Sequence, residues 1–151
     1  MSRACAWPGP CSCSGAVIVR SVQDVQAGPA SIALLLSCVS VVELWPRATV
    51  TDGGSVLWIS GVAGFGADDI ALRAGPPRRF RTSYETAAHW TARAADPGRA
   101  VLRVSPQGWH GARLRLDISC GKGLHHLQLQ PAADAFLAEL ARAAEERALA
   151  G

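Results

Sequence analysis

The sequence predicts an α+β domain with a mostly antiparallel sheet and two helices packed on one face. Short β-rich runs, separated by glycine or proline, fill the first half of the 151-residue chain. Later runs alternate apolar and polar residues with period two. Two stretches carry the end signals and spacing of helices.

Bulk composition limits the function classes. With 49% hydrophobic and 18% charged residues, the chain can bury the core of one domain. A net charge of +3 does not by itself require a nucleic-acid or membrane partner. The longest apolar run, residues 30–45, contains three serines and a glutamate and is too short to span a bilayer. No secretory signal is visible in the sequence, so we expect a cytoplasmic protein with reduced thiols and without membrane contact. The alanine- and arginine-rich composition suggests a bacterial source.

The N-terminal residues differ from the rest. Residues 1–15 hold three of the five cysteines and two prolines without a hydrophobic period, which predicts a flexible cysteine-rich leader. The single α+β domain is then residues 16–150. An odd number of cysteines without repeated spacing argues against a disulfide framework.

The first half predicts strands at 16–22, 48–51 and 55–60, the last two joined by the tight turn Asp52–Gly54. Periodicity does not decide whether "SIALLL" is strand or helix, and "CVSVVELW" after it is β-rich. The glycines of 61–66 reverse the order of the dinucleotide fingerprint, so we interpret them as a plain turn. A short strand follows within "DDIALRAGPP".

A first helix is predicted to begin at Thr82, where Thr82 and Glu85 form a capping box, and to end at 96–98. Glu85, His89 and Arg93 would then form a solvated row along its polar side. No nucleophile motif accompanies this row, so we predict no catalytic residue.

The C-terminal part predicts a three-stranded meander, "AVLRVS", "ARLRLDIS" and "LHHLQLQ", and a closing helix from Pro131 to about Leu149. The apolar stripe of that helix is Phe136, Leu137, Leu140 and Ala144.

The stretch "SCGKGLHHLQLQP" contains a cysteine and two adjacent histidines. A hairpin turn at Gly121 and Lys122 would pair Ile118 with His125 and place His126 opposite Asp117. Adjacent strand residues point to opposite faces, so the two imidazoles would not bind one ion. Cys120 and His125 remain weak metal candidates, because a structural zinc site needs four ligands. We expect no metal and no cofactor.

An arginine cluster, Arg73 to Arg81, surrounds Phe80 and has the composition of a phosphate- or base-contacting loop, although a solvated connector is more common. Trp109 in "GWHG" would offer an aromatic anchor to a partner, but a side chain folded back on the sheet is the commoner case.

By elimination, the sequence predicts a small non-enzymatic interaction domain that binds a protein partner through an exposed sheet face or the arginine loop. One alternative is a metal- or thiol-dependent enzyme or sensor using Cys120 and His125. Another is weak nucleic-acid binding through the Arg73–Arg81 loop. The sequence specifies neither the partner nor the oligomeric state. The predicted partner contacts are Arg78, Arg79, Arg81 and Trp109.

Overall fold

The computed structural model describes residues 17–37, 43–46, 48–52, 57–60, 70–92, 97–120 and 126–150. These ranges contain eight strands and two helices. The strands are β1 (Val17–Val25), β2 (Thr49–Asp52), β3 (Leu57–Ser60), β4 (Ile70–Ala74), β5 (Arg78–Phe80), β6 (Ser83–Ala92), β7 (Gly98–Gln107) and β8 (Gly111–Cys120). The helices are α1 (Pro29–Leu36) and α2 (His126–Ala150).

All strand pairs are antiparallel. The sheet order is β1-β8-β7-β6-β4-β3-β2, and β5 pairs with β6 beyond the end of β4. The long helix α2 packs mainly on β1, and α1 packs on β6 and β7. Both helices cover the same, inner face of the sheet, so the predicted α+β fold class is confirmed.

Alternation along the strands separates the two faces of the sheet. Leu114, Leu116 and Ile118 of β8 are buried, whereas Arg113 and Arg115 point outward. Successive strand residues face opposite sides, so this period-two pattern buries one face and leaves the other in water. The exposed sheet face that the sequence predicts is therefore present, and we call it the outer face.

The helix predicted to begin at Thr82 is wrong, because Ser83–Ala92 forms strand β6. Glu85 does not cap a helix; its carboxylate accepts from Arg103 of β7 at 2.7 Å. β6 pairs with β4 and β5 on one side and β7 on the other. These two ladders outweigh the helix propensity of its alanines.

The third strand of the predicted meander is also wrong. Residues 126–130 belong to α2, which begins at His126 and contains Pro131 in its interior. Both edges of β8 are already occupied, by β1 and by β7.

The predicted residue pairs of that hairpin are therefore wrong too. Ile118 pairs with Val19 and Ala100 instead of His125. Asp117 lies opposite Arg20 and Val101, not opposite His126.

Other predictions hold in part. "SIALLL" is helical within α1, which begins with Pro29 in its first turn. The β2–β3 hairpin is present, with Asp52 opposite Leu57, although its turn lies outside the described residues. The predicted leader, the glycines of 61–66 and most of "CVSVVELW" lie outside them too. Neither described helix combines the length and apolar character needed to cross a membrane.

Candidate functional site

The inner face of the sheet has a closed region and a more open one. Under α2 the core is tight: Val19, Leu114 and Ile118 of the sheet and Leu137 and Leu140 of the helix are at most 2% exposed. These five residues belong to one buried core cluster. The more open region is where half-buried apolar side chains lie against this core.

A set of half-buried apolar side chains lies against this core, and we call it the inner apolar patch. Its members come from α1, from residues 43–46 and 48, and from β6, β7 and α2. The rings of Trp45 and Phe136, with centroids 5.5 Å apart, connect residues 43–46 to α2. The members are Leu35, Leu36, Leu44, Trp45, Ala48, Tyr84, Ala88, Ala100 and Phe136.

One cross-strand row of the inner face has only small side chains. Ala74, Ala88 and Ala100 lie directly opposite one another on β4, β6 and β7, and we call them the alanine row. In the neighbouring row Trp90 faces Gly98. Ala74 is exposed, and Ala88 and Ala100 are half-buried. Other described residues therefore do not cover the alanine row completely.

Polar groups on the inner face are few. The Thr86 hydroxyl donates to the Gly75 carbonyl at 2.9 Å. The Ser21 hydroxyl donates to Asp134 of α2 at 2.5 Å. Arg79 lies opposite Tyr84, whose neighbour on β7 is the buried Val104. Among the described inner-face positions of β1 and β4–β8, Arg79 is the single charged residue.

The outer face carries the charges. Water and salt screen exposed ion pairs, so these pairs keep the face hydrated more than they stabilise the fold. The hydrogen bond from Arg113 lowers the pKa of Asp24. The pairs are Arg20–Asp117 (2.7 Å), Arg103–Glu85 (2.7 Å), Arg113–Asp24 (2.8 Å) and Arg115–Asp117 (3.1 Å).

The predicted row of Glu85, His89 and Arg93 becomes part of this outer face. Glu85 and His89 lie on the same side of β6, and Arg93 is outside the described residues. His89 lies opposite Arg73 of β4 and Arg99 of β7. Partial burial, and secondly the charge of Arg99, lower the pKa of His89.

The predicted partner contacts are spread over two turns. The Arg78 guanidinium lies over the Phe80 ring at 5.5 Å, and Arg79 Nε donates to the Arg81 carbonyl at 2.9 Å. Arg81 adopts a positive φ of 58° at the turn into β6. Trp109, in the β7–β8 turn, is 96% exposed, so the expectation that it folds back on the sheet is wrong. Whether these four residues contact a partner stays a prediction.

The weak metal candidates Cys120 and His125 are not tested by the described residues. Cys120 ends β8, and its side chain, like all of His125, lies outside the described residues. His126 begins a helix, so the argument that adjacent strand residues point to opposite faces does not apply to it. Within the described ranges no group of three or more His, Cys, Asp or Glu side chains could hold a metal ion.

No protein-family model and no curated protein matches the chain. Solved structures do. TTHA0849 from Thermus thermophilus has a TM-score of 0.64 and 15% identity, with 87% of this chain and 97% of that chain covered. A START superfamily protein from Mycobacterium smegmatis has a TM-score of 0.51 and 16% identity, covering 85% and 94%. Norcoclaurine synthase from Thalictrum flavum, in complex with dopamine and hydroxybenzaldehyde, has a TM-score of 0.57 and 14% identity, covering 86% and 84%.

These similarities correct the predicted function. The neighbours include a START superfamily protein, a synthase and a protein of a biosynthetic locus, which are enzyme or ligand-binding folds. The prediction of a non-enzymatic protein-interaction domain is therefore wrong. They give no support to the metal- or thiol-dependent alternative or to nucleic-acid binding. At these identities the likeness shows the fold alone, and that fold is the START/Bet v1-like α+β fold.

Proposed function

We propose that this protein binds a small, largely apolar organic molecule on the inner face of its sheet, over the alanine row. The observation that carries the proposal is the partial exposure of Ala88 and Ala100 within an otherwise apolar inner face. The fold supports it, since one similar structure holds dopamine and hydroxybenzaldehyde. We also propose, from composition alone, a bacterial cytoplasmic setting.

The chemistry of the inner apolar patch favours a ligand with a planar or aromatic body. Trp45 and Phe136 form a tilted ring pair, with 41° between the ring planes, beside the aliphatic side chains of α1. Aromatic side chains contribute about 0.5–1.5 kcal/mol beyond their area when they stack on another ring. A ligand with aromatic rings would gain this stacking free energy in the patch, whereas a strongly polar ligand would lose its hydration without new hydrogen bonds to replace it.

The expected affinity is modest. Removing about 300 Å² of apolar surface from water contributes roughly 7 kcal/mol. The lost freedom of the ligand offsets part of that gain. A small apolar probe should therefore bind with a dissociation constant in the micromolar to millimolar range.

Titration with the neutral fluorophore N-phenyl-1-naphthylamine tests the proposal. We expect a saturable, blue-shifted rise in its emission with the unaltered protein. Ala88→Leu places a larger side chain over the alanine row and should weaken binding roughly tenfold. Ala87→Leu adds the same volume on the outer face of the same strand and should leave binding unchanged.

Two results would contradict the proposal. One is the absence of saturable binding to a protein whose circular dichroism shows it folded. The other is equal weakening by Ala87→Leu and Ala88→Leu, since only the second faces the patch. Thermal melts of both variants show whether each is folded at the titration temperature.

A further inference from the structure

We propose that the ligand of the inner apolar patch carries an anionic group, and that Arg79 together with the Tyr84 phenol binds it. The inference rests on the proposed function of this face. It adds the ligand class: an apolar body with a carboxylate or a similar acidic head.

Strand register places Arg79 on the inner face. Arg79 of β5 lies directly opposite Tyr84 of β6, Tyr84 lies opposite Val104 of β7, and Val104 lies opposite Leu114 of β8. Val104 and Leu114 are fully buried in the core. Side chains of directly opposite residues in antiparallel strands share one face and lie about 5 Å apart at Cβ. Arg79 therefore lies beside Tyr84 at the edge of the patch.

Arg79 keeps donors available for an anion. Its Nε donates to the Arg81 carbonyl at 2.9 Å, which holds the guanidinium at the β5–β6 turn. Its terminal nitrogens have no carboxylate partner in the described part of the chain. Five other arginines do form an ion pair with a carboxylate: Arg20, Arg103, Arg113, Arg115 and Arg142. A guanidinium with free terminal N–H groups fits the two oxygens of a carboxylate.

The distance between this cation and the alanine row sets the ligand length. Tyr84 and Ala88 both face inward and are four residues apart on β6, which corresponds to about 13 Å along the strand. Thr86 lies between them. A ligand that reaches both ends needs an acidic head and an apolar body that extends over that distance, and decanoate is a simple probe of that length.

The test uses decanoate and decan-1-ol, which share an alkyl chain and differ in the head group. Each displaces bound N-phenyl-1-naphthylamine from the unaltered protein and from the variants. We expect Arg79→Ala to weaken decanoate about five- to tenfold and to leave decan-1-ol unchanged. Arg79→Lys should restore part of the loss, and Tyr84→Phe should weaken decanoate about twofold.

Arg78→Ala is the matched control. Arg78 precedes Arg79 in the same strand but lies on the outer face, over the Phe80 ring. Its removal lowers the net charge by the same amount and should change neither ligand. Raising the salt concentration from about 0.05 to 0.5 M should weaken decanoate and not decan-1-ol, because salt screens the exposed ion pair.

The outcomes separate the two proposals. If decan-1-ol displaces the probe but Arg79→Ala changes neither ligand, the anionic head is wrong and the apolar site stands. Equal loss of both ligands in Arg79→Ala, or equal loss of decanoate in Arg78→Ala, also overturns the inference. If neither ligand nor the probe binds the folded protein, the proposed function itself is wrong.

Discussion

The environment of one residue, His89, shows how the strand register sets its proton affinity. His89 is half-buried on the outer face of β6, between Arg73 on β4 and Arg99 on β7. Burial disfavours the charged imidazolium, and the neighbouring positive charge of Arg99 adds to that effect. The pKa of His89 is therefore below its ordinary value of 6.5.

We expect Arg99→Gln to raise the pKa of His89, because the variant removes the nearby positive charge and keeps a polar side chain. The pKa of His89 in the unaltered protein and in the variant is measured by an NMR titration of the imidazole C–H signals. Arg103→Gln is the control, since Arg103 lies on the same face of β7 but opposite Glu85. A pKa of His89 that falls in Arg99→Gln, or moves equally in both variants, would show that the register does not set this environment.

The lowered pKa has a consequence for stability. The unfolded chain takes up a proton on His89 near pH 6.5, and the folded protein does so only at lower pH. The contribution of neutral His89 to the free energy of unfolding is therefore complete above about pH 6.5. It declines as the pH falls below that value, until His89 is protonated in the folded state too. Arg99→Gln should reduce this decline.

Among the elements, α2 contributes most to the closed part of the core. Its inward stripe continues the pattern predicted from sequence, with Leu137, Leu140 and Ala144 at most 1% exposed. Polar contacts attach the helix to β1 along its length. The Gln130 side chain donates to the Arg20 carbonyl at 3.0 Å, and the backbone N–H of Gln26, the residue after β1, donates to the Glu145 carboxylate at 2.8 Å. The helix and β1 should thus unfold together.

Two leucine substitutions in α2, one buried and one exposed, test how much this packing stabilises the protein. Leu140→Ala should lower the free energy of unfolding by about 2–5 kcal/mol, because Leu140 is fully buried and its truncation leaves a cavity. Leu149→Ala should change it by no more than about 0.5 kcal/mol, because Leu149 is 90% exposed. Urea denaturation measures both. Similar losses at the two positions would mean that α2 does not pack as described.

Sequence patterns identified the elements whose period was unambiguous. β7, β8 and the stripe of α2 follow from apolar spacing, and most of β1 follows from its β-branched content. β6 was missed because Thr82 and Glu85 match a capping box and alanine favours helices. The inner positions Tyr84, Thr86, Ala88 and Trp90 do alternate, but only pairing with β4 and β7 decides the strand.

The start of α2 was missed for a different reason. "LHHLQLQ" fits period two, yet Leu129, Ala133 and Leu137 also fit helical spacing, and a window this short does not distinguish the two. The deciding fact is that β1 and β8 pair although 97 residues separate Arg20 from its partner Asp117. That pairing occupies the edge of β8 that β7 leaves open, and no local pattern reveals it.

For the whole molecule, the candidate site was the part least accessible to sequence analysis. Its members come from separate segments and meet only through the sheet order. Alanines carry no chemical signature, so nothing marked Ala74, Ala88 and Ala100 before their strands were paired. Arg79 was named as a residue of interest, but as a protein contact. Its place on the inner face depends on its register with Tyr84.

The most direct test of the ligand site is an amide NMR titration of the ¹⁵N-labelled protein with N-phenyl-1-naphthylamine. We predict saturable shifts at Leu36, Ala88 and Ala100, on the inner side. Signals of Arg115 on the outer face and of Trp109 in the β7–β8 turn should stay in place. Shifts centred on the outer face or on Trp109, with the inner positions unchanged at saturation, would contradict a ligand site between the sheet and its helices.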